Sequence, residues 1–541
     1  MKTSSKEHSE ETDFLPFFVI IIMIQFKKGF IMCLFEPSNI RKIFGSEDAA
    51  DEDIQRLKKF FFKTSDYKAI KSDSPLVIVT GFKGVGKSAL LKIAYEEDKD
   101  ENKPALWIRP DDVIEMMDEL ASTNLDFSKI VLLWKRGIAK LVASRIASDW
   151  LFVYNDEQNA AINWAQNTGY RNRDFVQKII SILKPSIINL PLNLEEQTPL
   201  TGEHHIIERL LNDKQIYLYF DDLDAGWEAK KEQQLKLSAL LLALRNMTSD
   251  IPGLKVRLAF RTDVYTLLRE SDESTDKIEN YVINCSWKNH DIIILLAKRI
   301  LTFFDENIND KELEEYSLSK LNEVLGKIMC KKFTKTKAWK NKYTNKVIAS
   351  LIRSRPRDMI KLCSLAAKTA YERDPETKFI DDIDFENILD EYSRNRVQDI
   401  VNEFKNELPN IEDLLYRMAP TTKEIKNKTK NVFVYSTNEL LKKIKNIRQN
   451  IKLELSYKSY TEDIDIAHFL YKIGFITARR EIKDVNNKII KIDRKYYDEK
   501  KQLLKSGAIG DGGYSWEIHP AYRSAISTHL NNNWMQTVDI D

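Results

Sequence analysis

The stretch Gly81-Phe82-Lys83-Gly84-Val85-Gly86-Lys87-Ser88 follows an apolar run at residues 75–80 and opens onto helical spacing, and it limits the fold more than any other feature. A GxxxxGK[ST] loop between a strand and a helix lets backbone N–H groups close around an anion, while the following helix adds the positive end of its dipole. Phosphate contacts are therefore expected from Gly81, Lys83, Gly84, Val85, Gly86, Lys87, Ser88 and Ala89. Lys87 is placed to reach the β and γ phosphates, and Ser88 to give a hydroxyl to Mg2+. The cofactors implied are ATP and Mg2+. The plainer alternative is a glycine turn with an incidental Lys-Ser pair.

The matching acid is the apolar run at residues 215–220, which ends in Asp221, Asp222 and Asp224 at the strand edge where ligands sit in such sheets. Asp221 is expected to hold the Mg2+ shell, and Asp222 to orient or deprotonate the attacking water. Asp224 reads as a turn residue. The next strand, residues 255–260, ends in Arg261, Thr262 and Asp263, where a polar side chain can sense a γ-phosphate. Arg261 is the sensor candidate; the alternative is an arginine satisfied by a neighbouring carboxylate. Ser354-Arg355-Pro356-Arg357 opens a later helix, and a solvated arginine there is unfavourable with the helix dipole, which argues for a ligand role. Arg357 is the choice, with Arg355 competing, for a residue that reaches the nucleotide and converts hydrolysis into lid movement.

Short apolar runs at 75–80, 105–108, 216–220, 256–260 and 281–285, separated by helical segments, predict a parallel sheet covered on both faces: an α/β P-loop NTPase core. Residues 47–62 have helical spacing. Residues 111–200 read as a helical insertion, with 130–150 its clearest amphipathic segment. Since 541 residues exceed what one core organises, several units are expected. They are an extension at 1–31 outside the native fold, an ATPase core at 32–290 with the insertion, a helical lid at 291–383, and a linker helix with a winged-helix domain at 384–541.

The apolar run at 14–26 has 13 residues with Pro16 inside it, whereas a membrane span needs ~20. No membrane role is expected, and no basic leader or small-residue cleavage site marks a secretory signal. Lys27-Lys28-Gly29 fits the readthrough of a purine-rich ribosome-binding sequence, with translation starting at Met32; the alternative is a short interfacial anchor. Recovery of peptides from residues 1–31 in the native host by mass spectrometry would overturn the Met32 start. Four cysteines without CxxC spacing argue against zinc and a disulfide framework, which suits a reducing cytoplasm.

A net charge of +2 gives no whole-chain field for nucleic acid, so any such role must come from patches. Residues 327–346 carry eight lysines interleaved with Phe333, Trp339 and Tyr343, suited to phosphate contact and base stacking, and residues 423–452 form a second basic stretch. The alternative is two solvated lysine faces. His519 before Pro520 reads as structural.

Together the glycine loop, IYLYFDDLD, LAFRTD, the CSW segment followed by LLAKRI, and RPRDMI resemble the AAA+-related STAND and origin-recognition class of ATPases over roughly residues 40–380. The resemblance implies a winged helix after the lid, for which residues 435–443, 461–473, 474–476 and 516–520 are the candidates. Two departures stand out: the insertion is longer than in most AAA+ proteins, and no arginine finger for a second subunit is identifiable. FDDLD with RTD is also similar to bacterial ATPases of phage-defence loci that sit beside an effector gene. The expected function is thus a nucleotide-driven ATPase switch for a separate effector, with a homo-oligomer and DNA as further partners. A DNA-binding ATPase of replication or repair and a slow-turnover nucleotide-bound scaffold are the alternatives.

Overall fold

Continuous apolar runs become strands when both faces of a sheet are covered, and all five do so here. A computed structural model describes residues 33–109, 126–149 and 215–538, apart from 272, 307, 337–338, 428–430, 487, 506–510 and 528–532. The run at 14–26, Met32 and most of the insertion lie outside the described residues. Strands β1 (Leu76–Gly81), β2 (Ala105–Ile108), β3 (Ile216–Phe220), β4 (Leu254–Arg261) and β5 (Val282–Asn284) form one parallel sheet in the order β2-β3-β4-β1-β5. Every residue of β1 and β3 is buried. Because β4 lies between β1 and β3, the glycine loop, the acidic turn and the end of β4 emerge side by side at the carboxyl edge. A strand thus stands between the glycine-loop strand and the acidic-turn strand, an arrangement that AAA+ proteins share with other P-loop α/β folds.

The helices around the sheet are α1 (Pro37–Phe44), α2 (Ile54–Phe60), α3 (Lys87–Asp100), α4 (Phe127–Asp149), α5 (Lys231–Asp250) and α6 (Thr262–Ser271). Trp134 of α4 is buried against α5 and donates its indole N–H to Lys236 O at 3.1 Å. The helix expected at 47–62 is shorter. Asp53 accepts the Arg56 amide and starts α2 there, while the Glu52 carboxylate gathers the amides of Ser46 and Asp53, so residues 46–53 form a loop with one short 3-10 turn at Ala49–Asp51.

Helix α7 (Asn289–Phe303), several short helices and α8 (Pro356–Arg373) follow the sheet, and α9 (Asp382–Phe404) leads away from them. An Asp381/Asp384 capping box fixes the start of α9. The last unit has a four-stranded antiparallel sheet in the order β6-β9-β7-β8, made from β6 (Val434–Tyr435), β7 (Ile476–Lys483), β8 (Ile489–Lys495) and β9 (Ser515–Ile518). Helices α10 (Thr437–Arg448) and α11 (Asp463–Lys472) lie between β6 and β7, and a short final helix begins at Pro520. His519 caps that helix by accepting the Ala521 amide at 3.1 Å, and burial pushes its imidazole down to about 3, so it is neutral.

The lysine-rich stretch at 327–346 requires a correction. Phe333 and Trp339 are 0% and 1% exposed and belong to the core, where Trp339 meets Trp534 and Phe333 meets Phe385. Neither ring is available to stack on a base; Tyr343, at 42%, is the exposed aromatic of that stretch. Tertiary packing decided this, because the aromatic spacing alone fits a core as well as a stacking platform.

Candidate nucleotide site

Gly84 and Gly86 adopt φ of +83° and +94°, the left-handed region that side chains rarely enter, and this bends the chain between β1 and α3 into a cradle. A Cβ at Gly84 would also lie 3.1 Å from Arg357 Cβ. Trp287 clamps the loop from behind, its indole N–H donating to Val85 O at 2.7 Å. Lys87 folds over the loop and donates from Nζ to Gly81 O at 2.8 Å and Phe82 O at 3.3 Å.

The loop opens on a cavity of about 520 Å³, within the range of nucleotide-sized pockets. Lys83, Gly84, Gly86, Lys87, Ser88 and Ala89 line it, as do Asp222, Arg261 and Arg357. Gly81 and Val85 stand behind the loop, where a Cβ on Gly81 would meet Val85 Cγ2 at 2.7 Å. Ser88 Oγ donates to Asp221 Oδ1 at 3.3 Å, so folding joins two groups 133 residues apart. Burial, reinforced by the adjacent Asp222 carboxylate, pushes the Asp221 carboxyl up to about 7. Asp222 is exposed and holds a φ of +54°, a strained backbone for a residue with a Cβ and a frequent mark of a working site.

This donor set suits Mg2+. Among the described residues no group of three or more His, Cys, Asp or Glu could cage a metal ion. One hydroxyl and one buried carboxyl, completed by phosphate oxygens and water, is how Mg2+ is usually held. Ser88 and Asp221 are the residues that would hold it, and a divalent charge there would offset the cost of ionising Asp221.

The arginine candidates separate. Arg261 lines the cavity, and its guanidinium is tied to Asp263, Nη2 to Oδ2 at 2.6 Å, as the reading of an arginine satisfied by a neighbouring carboxylate expects. Arg357 lines the cavity too, donating from Nε to Glu47 O at 3.0 Å and from Nη2 to Asp48 Oδ2 at 3.3 Å. Arg355 is buried, with its guanidinium 5.1 Å from the Phe82 ring centroid. Asp224 lies in a turn, but its side chain is buried and accepts the Arg261 backbone N–H at 2.6 Å, locking the acidic turn to the end of β4.

Sequence reasoning missed the apolar wall. Leu57, Phe60 and Phe61 from the segment before β1, with Ile360 of α8 and Arg299 of α7, complete the cavity. Arg299 is buried over the Phe60 ring at 4.4 Å, donates to Phe44 O, and leaves its Nε without a hydrogen-bond partner. Glu403 and Asn406, at the end of α9, were missed as well. Gly45, with φ of +80°, and the N-cap Asp53 were the available signals for a loop at 46–53.

Residues 307–401 match the FunZ-associated C-terminal helical domain. The transposon gamma-delta 80.3 kDa protein of Escherichia coli (strain K12) is 22% identical over 455 residues, covering 80% of this chain; the match spans 61% of that protein's length. The Aeropyrum pernix ORC2 protein, solved as ADPNP–ADP complexes, aligns with a TM-score of 0.38 and 10% identity over 88% of this chain and 94% of its own. The Aeropyrum pernix ORC1 protein in complex with DNA aligns with a TM-score of 0.32 and 11% identity over 92% and 96%. At such scores the likeness adds nothing to what strand order and the glycine loop establish, an α/β P-loop fold.

Proposed function

We propose that the chain binds and hydrolyses ATP with Mg2+ and works as a nucleotide-driven switch that controls a separate effector, in bacterial defence against phage. The observation that carries the switch reading is the contact between the nucleotide loops and the C-terminal part of the chain. The Phe82 ring of the glycine loop meets Tyr497 edge-on at 6.5 Å, and Asn406 Nδ2 donates to Trp227 O beside the acidic turn at 3.4 Å. A change at the phosphates is thereby felt by the linker helix and the last unit without any intervening element. The defence setting rests on the sequence resemblance alone.

In this reading the loop amides and Lys87 bind the phosphates, and Ser88 and Asp221 hold Mg2+, which when bound neutralises charge on the phosphate oxygens. The Asp222 carboxylate orients the attacking water and accepts its proton. Arg261 senses the γ-phosphate, and Arg357 reaches the nucleotide from the rim of the cavity. A homo-oligomer and a cytoplasmic location belong to the same proposal; among the described residues no helix is long and apolar enough to cross a membrane.

A second reading, an ATPase acting on DNA, is favoured by the β7–β8 hairpin, which exposes Arg480, Lys483, Lys488 and Lys491. If the last unit is a winged helix, α11 is its groove-reading helix. That helix begins with Glu462, Asp463 and Asp465 and buries Ile466, Phe469 and Leu470, which is poor chemistry for duplex phosphates and weighs for the switch. ATP turnover by the purified chain, with and without duplex DNA, separates the two. Slow turnover indifferent to DNA and lost in Lys87→Ala and Asp222→Ala is expected. A severalfold rise with DNA, weakened by salt, would establish the second reading instead.

A further inference from the structure

Behind the cavity lies a carboxylate to which the proposed reaction assigns no task. Glu403 sits on the last turn of α9 with a side chain only 2% exposed, and it lines the same cavity as Lys87, Asp222 and Arg261. Its Oε1 stands 3.7 Å from Nη2 of Arg261, and its Oε2 stands 3.9 Å from Nη1 of Arg355. The backbone carbonyl of Glu403 also accepts from Arg261 Nη2 at 3.5 Å, where the negative end of the α9 dipole adds to the attraction. The two side-chain separations are ion-pair distances and longer than hydrogen bonds, and Oε1 is buried with no hydrogen-bond partner. Two guanidiniums thus converge on one carboxylate whose own hydrogen bonding is incomplete. The guanidinium fork binds phosphate oxygens as readily as carboxylate oxygens.

We propose that Glu403 competes with the γ-phosphate of a bound triphosphate for Arg261, which lines the cavity, while Arg355 holds Glu403 from behind, so that the two anions are seated alternately. This rests on the nucleotide reading of the cavity. A triphosphate that engages Arg261 brings a second anion against a buried carboxylate, and the repulsion of like charges in a poorly hydrated site drives Glu403 out. A diphosphate lacks the competing oxygens and leaves Glu403 in place. The displacement has a mechanical path. One turn past Glu403, Glu407 is ion-paired with Lys472 of α11 at 3.2 Å, and Ser393, earlier on α9, accepts the Ala525 amide at 2.9 Å. Moving the end of α9 therefore moves or releases the last unit. Glu403 is a positioning residue: it acts through the arginines and not on the reacting atoms.

The test uses the full chain, Glu403→Gln, and Glu391→Gln as a control at an exposed position of the same helix. Affinities for Mg2+ with ADP and with a non-hydrolysable ATP analogue are measured by calorimetry. Glu403→Gln is expected to tighten the analogue by about tenfold while leaving ADP essentially unchanged, with the control altering neither. Equal changes for both nucleotides, or no change, overturn the competition. A wild-type chain that binds neither nucleotide overturns the reading of the cavity itself and this inference with it. Should Glu403→Gln fail to fold, hydrogen exchange on the wild-type chain decides. Amides at 400–407 should exchange faster with the analogue than with ADP, and equal exchange contradicts the proposal.

Discussion

The charged wall and the apolar wall of the cavity are built from different kinds of sequence. On the charged side, Lys83, Gly84, Gly86, Lys87 and Ser88 come from one short segment at the end of a buried strand, and Asp222 and Asp224 from another. The strand fixes the direction of exit, and local backbone conformation does the rest, as the left-handed Gly84, Gly86 and Asp222 show. On the apolar side, Leu57 and Phe60 precede the sheet, Arg299 belongs to α7 and Ile360 to α8, so the wall exists only after these two helices have packed onto the amino-terminal segment. In the proposed reaction the first wall does chemistry that tolerates few residue types, whereas the second needs only shape and an apolar surface. Substitutions should therefore split into effects on turnover and effects on affinity.

The largest expected effect is on the charged wall. Asp222→Asn should lower turnover by about 100-fold or more while leaving nucleotide affinity near wild type, checked by steady-state kinetics beside calorimetry. Equal losses in both would erase the distinction between the walls. Titration gives the next effect. The folded chain holds the Asp221 proton to about pH 7, whereas the ordinary carboxyl value is 3.8, so the protein free of nucleotide loses stability as pH rises between those values. Binding of Mg2+ with nucleotide needs the carboxylate, so its affinity should rise over the same interval, by up to about tenfold per pH unit, and level off above pH 7. In an Asp221→Asn chain that slope should flatten.

On the apolar wall, Phe60→Ala should weaken nucleotide binding by about tenfold through lost apolar contact, with turnover at saturation retained. A fall in turnover at saturation would mean that the apolar wall positions the phosphates as well. Arg357→Ala should have the smallest effect, about fivefold or less on affinity, because its side chain is partly exposed and its ion pair with Asp48 is screened by solvent. A much larger loss would move Arg357 to the γ-phosphate and away from the rim.

What could be read from sequence follows the same division. The five strands were legible because strands covered on both faces are continuous apolar runs, and the glycine loop was legible because its spacing is set by phosphate geometry. The break at residue 53 was harder: the periodicity of residues 47–62 continues through it, and only the Asp53 cap and Gly45 announce a loop. Phe333 and Trp339 could not be told from a nucleic-acid patch because their partners Phe385 and Trp534 are remote in sequence. Glu403 had no signature at all, being 142 residues from Arg261. Asp224 had one, its place in the acidic turn, but its bond to the Arg261 amide depends on the order of β3 and β4 in the sheet.

Phosphate release from ATP by the purified chain, with Mg2+ or with a chelator, beside Lys87→Ala, tests the central claim most directly. The account predicts slow Mg2+-dependent turnover that stops on chelation and in the variant. Turnover that survives Lys87→Ala, or a wild-type chain that neither binds nor hydrolyses ATP, would contradict it.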